Sequence, residues 1–152
     1  MKTLVTPTES FRHADLDGRP RPESPNSPVN LNSTAVGSPA ARATSAIGKA
    51  WLADDRGDLE QARGKRSEAA WFLRMAVRDG SPVNGHVSAD LALLADLLRR
   101  SGDCQGAIAV ARRGLAAGPP EGVGSLLFFQ LELSRAGDEG RHDIGEALAA
   151  SA

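Results

Sequence analysis

Tyrosine is absent from the 152-residue chain, cysteine occurs once, and aromatic residues make up only 4%. The single Cys104 excludes an intramolecular disulfide and any zinc site built from several thiolates, and it fits a reducing, cytoplasmic setting. An excess of one charge is also missing: 18 Lys+Arg stand against 19 Asp+Glu, for a formal net charge of -1. Binding to a phosphate backbone draws on a basic face that releases counterions, so nucleic acid is not the expected main partner. The bulkiest unbroken apolar run, LLFF at 126–129, falls far short of the roughly 18 residues that a membrane-spanning helix needs. Residues 1–10 carry one lysine and a short Leu4-Val5 pair before Pro7, less than the apolar stretch of a secretory signal.

Motifs that carry chemistry are scarce as well. His13, His86 and His142 lie far apart in the chain, and none stands at a metal-ligand spacing. No nucleophile elbow, phosphate loop or dinucleotide fingerprint occurs. No metal or cofactor is therefore expected, and the chain is read as a non-enzyme. Cys104 opens a predicted helix, where a helix N-terminus can activate a thiol. The competing reading, a small buried apolar residue, is the commoner fate of a free cysteine and is preferred.

What is present falls into two parts. Residues 1–42 hold Pro7, Pro20, Pro22, Pro25, Pro28 and Pro39, six of the nine prolines, with Ser, Thr and Asn between them. Such a segment lacks both amide donors and enough apolar groups to offset its ordering entropy, so a disordered tail is expected. Within it, residues 19–28 (RPRPESPNSP) have polyproline-II composition, and Asn32-Ser33-Thr34 fits a glycosylation acceptor without the secretory context to use it.

Residues 43–152 turn rich in Ala, Leu, Arg, Asp and Glu, and their apolar positions fall at helical spacing. Leu91, Leu94, Ala95 and Leu98 form one stripe, with Ser88 as the expected N-cap. Ala107, Ile108, Ala111 and Leu115 form the next, stopped by Gly118-Pro119-Pro120. Gly102-Asp103 between them suits a helix end followed by a helix start. Gly64-Lys65 and Gly137-Asp138 look like the same separator, which puts three helix pairs at about 50–84, 88–121 and 123–152. Small residues seven apart, Ala69 with Ala76 and Ala107 with Gly114, suit close helix approach. Residues 81–87 (SPVNGHV) read as a loop insertion.

The stretch 94–119 (LADLLRRSGDCQGAIAVARRGLAAGP) resembles a tetratricopeptide repeat, with Leu94-Ala95, Gly102-Asp103, Ala107, Gly114 and Pro119 at the family's Leu-small, turn, small and closing-proline positions. Residues 64–82 resemble the second half of such a repeat. The last copy departs from the pattern, with Gln130 and His142 at small-residue positions. The resemblance covers roughly residues 45–152. It implies an all-α, right-handed solenoid of about three antiparallel helix pairs whose concave face holds a protein partner.

Carried over position by position, that face would comprise Trp51, Asp54 and Asp58, then Asp96, Arg99 and Arg100, then Leu127, Leu131 and Arg135. Arg99 and Arg100 are expected to be exposed, so that reversing both charges leaves the fold intact. Asp54 and Asp58 would repel the terminal carboxylate that some family members clamp. The expected function is an adaptor or scaffold that binds a peptide or helix. One alternative is a secretion or regulatory chaperone holding an amphipathic segment, and another is an accessory subunit or fragment of an enzyme. Arg63, Lys65, Arg66, Arg74 and Arg78, interleaved with acids, read as a solvated helix face. Ile144, Ala147, Leu148 and Ser151 form a terminal apolar stripe that suggests a homodimer through the last pair.

Overall fold

A computed structural model describes residues 37–149, and among them every regular element is a helix. The elements are α1 (Pro39–Asp55), α2 (Leu59–Arg78), α3 (Val87–Arg100), α4 (Cys104–Ala116), α5 (Glu121–Arg135) and α6 (Ile144–Ala149). Residues 19–28, His13, the acceptor at Asn32 and nearly all of the expected tail lie outside the described residues, as does Ser151. The helical region starts four residues before the expected boundary at 43. Ser38 Oγ accepts from the Ala41 amide at 3.2 Å, and Pro39 sits at the first helical position, where its missing N–H costs nothing. The sixth of the tail prolines is thus a helix starter.

The first helix boundary also differs from expectation. Gly64-Lys65 does not separate two helices; both residues lie inside α2. The turn is Arg56-Gly57-Asp58, where Gly57 takes φ +73° and Asp58 caps α2 by accepting from the Gln61 amide at 3.0 Å. Left-handed glycines recur at Gly102 and Gly137, with φ +91° and +70°, and Asp103 likewise caps α4, whereas Asp138 accepts from the Gly140 amide and caps no helix. In each case the amide after the glycine reaches back to the last helical turn: Asp58 to the Ala53 carbonyl, Asp103 to Leu98 and Asp138 to Leu133. This is the 6→1 bond of the Schellman motif, which needs a left-handed residue that only glycine adopts without strain. The repeated unit is therefore Gly-Asp, at 57-58, 102-103 and 137-138.

A further correction concerns the start of α3. Its N-cap is His86, whose Nδ1 accepts from the Ser88 amide at 3.3 Å and meets Ser88 Oγ at 2.7 Å, while Ser88 itself is buried at the second helical position. The preceding loop is tied down by the buried Asp90. Its carboxylate accepts from the Val83 amide at 2.7 Å, the Asn84 amide at 2.9 Å and the Asn84 side chain at 2.8 Å. Charge-assisted bonds from amides are a standard way to hold a carboxylate away from water.

α1 and α2 form an antiparallel pair, since Arg42 stacks over the Phe72 ring at 3.9 Å near one end and Asp54 meets Arg66 near the other. Its seam is lined by Ala43, Ala46, Ala50 and Ala53 on α1 and by Ala62, Ala69 and Ala76 on α2, all buried. Spacings of three and four keep one narrow stripe facing the partner helix, and alanine lets the backbones come close. The main core continues through Phe72, Leu73, Leu91, Leu94, Ala95 and Leu98 to Ala107, Ala111, Leu127 and Leu131. Each helix packs on its neighbour in the chain and α3 also packs on α5, but among the described residues α1 and α3 do not pack helix to helix.

Two glycine substitutions should act in opposite directions. A Cβ at Gly114 would meet Leu127 Cδ2 at 2.7 Å and Cδ1 at 2.8 Å, whereas one at Gly64 would meet nothing within 4 Å. Gly114→Ala should cost about 1 to 3 kcal/mol by overpacking, and Gly64→Ala should stabilise mid-α2 by about 0.5 to 1 kcal/mol. Chemical denaturation of both variants measures this, and a destabilising Gly64→Ala would contradict an unbroken α2.

Candidate functional site

The residues read from the sequence as a binding face separate into three groups in the structure. Asp54, Asp96, Arg99 and Arg100 come together in one charged network. Leu127 and Leu131 are buried in the core. Trp51, Asp58 and Arg135 remain at the surface. Asp58 serves as the α2 cap, and Arg135 pairs with Glu132 on its own helix at 2.6 Å.

The network grows from the C-terminal end of α1. One Asp54 oxygen accepts from Arg66 of α2, and the other accepts from Arg100 Nη2 of α3 at 2.8 Å. Arg100 Nη1 lies 4.0 Å from Asp96 Oδ2. The other oxygen of Asp96 accepts from Arg99 Nη2 at 2.8 Å. Arg66 was expected on a solvated face, yet it lies in the α1–α2 seam, three residues before Ala69, and is buried. Burial works against the Asp54 carboxylate, but hydrogen bonds from Arg66 and Arg100, reinforced by their charges, outweigh it and hold the pKa below the ordinary aspartate value. Stability from such a lowered pKa is present above the unfolded value and is lost as pH falls through the folded one.

Arg99 was expected at the surface and is 0% exposed. Its Nε donates to Gln130 Oε1 at 2.8 Å, and its Nη1 donates to the carbonyls of Asp138 at 2.6 Å and Gly140 at 2.8 Å. A single guanidinium thus ties α3 to α5 and to the α5–α6 connection, using the five-donor fork that only arginine has. Because Arg99, Arg100, Leu127 and Leu131 are spent on packing, they are not presented to a partner. The N-terminal member of the terminal pair explains Leu127: it fills the space that Gly114 leaves open.

Large apolar side chains at the surface concentrate at the two ends of the helical region. Trp51 and Leu52 on α1 and Leu59 and Trp71 on α2 are 59%, 55%, 73% and 61% exposed. Phe128 on α5 and Ile144 and Leu148 on α6 are the exposed counterparts at the other end. Cys104 is half-buried at the first position of α4. Among the described residues no group of three or more His, Cys, Asp or Glu is placed to hold a metal ion, and no helix is long and apolar enough to cross a membrane.

Compared with protein-family models, curated proteins and solved structures, the chain matches none. The residues that sequence reasoning missed are Arg66, Asp90 and Gln130. A signal existed for Arg66, which continues the three-and-four spacing of the α2 alanines; the partners of Asp90 lie six and seven residues upstream in a loop without regular spacing, and the partner of Gln130 lies 31 residues away.

Replacing Arg99 should therefore damage the fold. Arg99→Met strands Asp96, Gln130 and two carbonyls, at an expected cost of about 3 to 5 kcal/mol. Arg135→Met removes only an exposed pair and should change stability by about 0.5 kcal/mol or less. Urea denaturation with circular dichroism compares them, and equal costs would contradict the structural role of Arg99.

Proposed function

We propose that the helical region is a short tetratricopeptide-like, right-handed solenoid that works as a protein-interaction module, taking a peptide or amphipathic helix of a partner protein as an adaptor or scaffold. The observation that carries this reading is the exposure of Trp51 and Trp71, the only two tryptophans of the chain. Tryptophan combines a large apolar body with an N–H donor, and it is enriched among the residues that dominate binding energy at interfaces. Leaving two of them in water on one helix pair exposes apolar surface that a partner's apolar side chains would cover. Three helix–Gly-Asp–helix units packed in chain order support the repeat architecture, since each unit needs its neighbour to bury its apolar face.

Of the residues read from the sequence as the binding face, Trp51, Asp58 and Arg135 are exposed, while Arg99, Leu127 and Leu131 are buried and Arg100 is nearly so. Apolar anchoring by tryptophan is therefore the main source of affinity, and an amphipathic helix is the fitting class of ligand. The exposed Phe128, Ile144 and Leu148 favour a second contact, a homodimer through the C-terminal pair.

The test is affinity capture from the native host with the full chain and with a Trp51→Ala/Trp71→Ala variant. A partner identified by the first should bind the second about thirty-fold more weakly, the loss expected when residues worth about 2 kcal/mol are removed. The thermal midpoint of the variant should move by only a few degrees, because neither ring is in the core. Undiminished binding by the double variant would refute the tryptophan-anchored groove.

A further inference from the structure

His142, in the connection between α5 and α6, lies between two carboxylates. Its Nε2 is 3.0 Å from Asp138 Oδ2, and its Nδ1 is 2.7 Å from Glu146 Oε2. Ionised carboxylates accept hydrogen bonds and cannot donate them. Both contacts together therefore require an N–H on each ring nitrogen, which only the imidazolium supplies. A neutral ring carries one N–H, so one carboxylate would then face a nitrogen lone pair at hydrogen-bond distance.

The surroundings lock Asp138 in place and leave Glu146 dependent on the histidine. Asp138 Oδ1 accepts from the Gly140 amide at 2.7 Å and lies 3.9 Å from Arg99 Nη1 of α3, whose own charge is answered by Asp96. Glu139 pairs with Arg63 of α2. α5 contributes the Phe129 ring, which meets His142 in a T-shaped contact at 5.7 Å. Asp143 caps α6 by accepting from the Glu146 amide at 2.9 Å, and Arg141 lies on the exposed side of the connection.

Among the described residues, the helical contacts of α6 are confined to one neighbour. It is six residues long, far below the length at which an isolated helix persists in water. Among the described helices it packs only on α5, and Ala147 is its one buried residue, with Ile144 and Leu148 largely exposed. The His142–Glu146 bond is thus a principal tie between α6 and the rest of the fold.

We propose that His142 is a pH-operated latch: protonated, it clamps α6 to the Asp138 turn and to α5, and on losing its proton it releases α6. Partial burial disfavours the charged ring, but the hydrogen bonds to Glu146 and Asp138 and their charges outweigh it and raise the pKa above the ordinary histidine value. A raised pKa gives stability that is fully present below the unfolded value, near 6.5, and is lost as pH rises through the folded one. Asp138, held below its ordinary value by the Gly140 amide and by His142, sets the acid limit: its contribution is lost as pH falls through its own folded pKa. Between those limits the latch is closed, and above the upper one Phe129 and the seat of Ala147 on α5 become accessible.

Hydrogen exchange of the full chain, corrected for intrinsic rates, tests the latch. Amides of α6 should lose protection by roughly three-fold or more between about pH 5.5 and pH 8, while those of α3 and α4 keep theirs. His142→Gln should abolish this difference. Glu146→Gln changes an exposed side chain, so the fold is retained, and its amide can donate as well as accept; the pH dependence should shrink. Equal wild-type protection at both pH values, or the same loss in His142→Gln or undiminished in Glu146→Gln, would overturn the proposal.

Discussion

One carboxylate holds the first helix pair to the second. Asp54 sits at the end of α1 and is shared by Arg66 of α2 and Arg100 of α3, and Arg66 donates in addition to the Arg100 carbonyl at 3.4 Å, so the two side chains tie these three helices together by hydrogen bonds. α1 and α3 do not pack on each other directly, so without Asp54 the first pair would meet the second mainly through α2. The arrangement has a cost: Nε of both arginines is buried without a hydrogen-bond partner. Buried charged clusters of this kind add little net stability compared with apolar packing, but they penalise wrong registers strongly. Asp54 therefore acts as a register pin, and Arg99 plays the same part between the second pair and the third.

Helix existence and helix ends were legible from local rules wherever a local signal was complete. The α3 stripe of Leu91, Leu94, Ala95 and Leu98 is buried as its spacing implies, and Gly102-Asp103 makes the expected turn. The first turn lies at Gly57-Asp58 rather than at the expected Gly64-Lys65. A glycine alone marks an end weakly, since a helix interior tolerates it; a glycine followed by a capping aspartate satisfies orphan carbonyls and orphan amides together, and Gly57-Asp58 meets that criterion. The candidate face was much less legible. Whether Arg99 and Arg100 meet water or protein depends on residues 31 to 46 positions away, and no helical period encodes that.

The positions at which the last helix pair departs from the pattern expected from the sequence are the ones with specific polar work. Gln130 and His142 occupy places where a small residue was expected, and they are the partners of Arg99 and of the Asp138–Glu146 carboxylates. A polar residue at a packing position changes a nonspecific contact into a directional one. The last helix pair is thus joined to its neighbour through the hydrogen bond between Gln130 and Arg99, as the first pair is joined to the second through Asp54.

The alanine seam between α1 and α2 has a thermodynamic consequence. Alanine brings backbones close but removes little hydrocarbon from water, and both the heat-capacity change and the denaturant sensitivity of unfolding scale with the surface that unfolding exposes. A pair built this way resists temperature change with a flatter stability curve than the leucine-rich α3–α4 pair. Cooling therefore weakens the leucine-rich packing relatively more than the alanine seam.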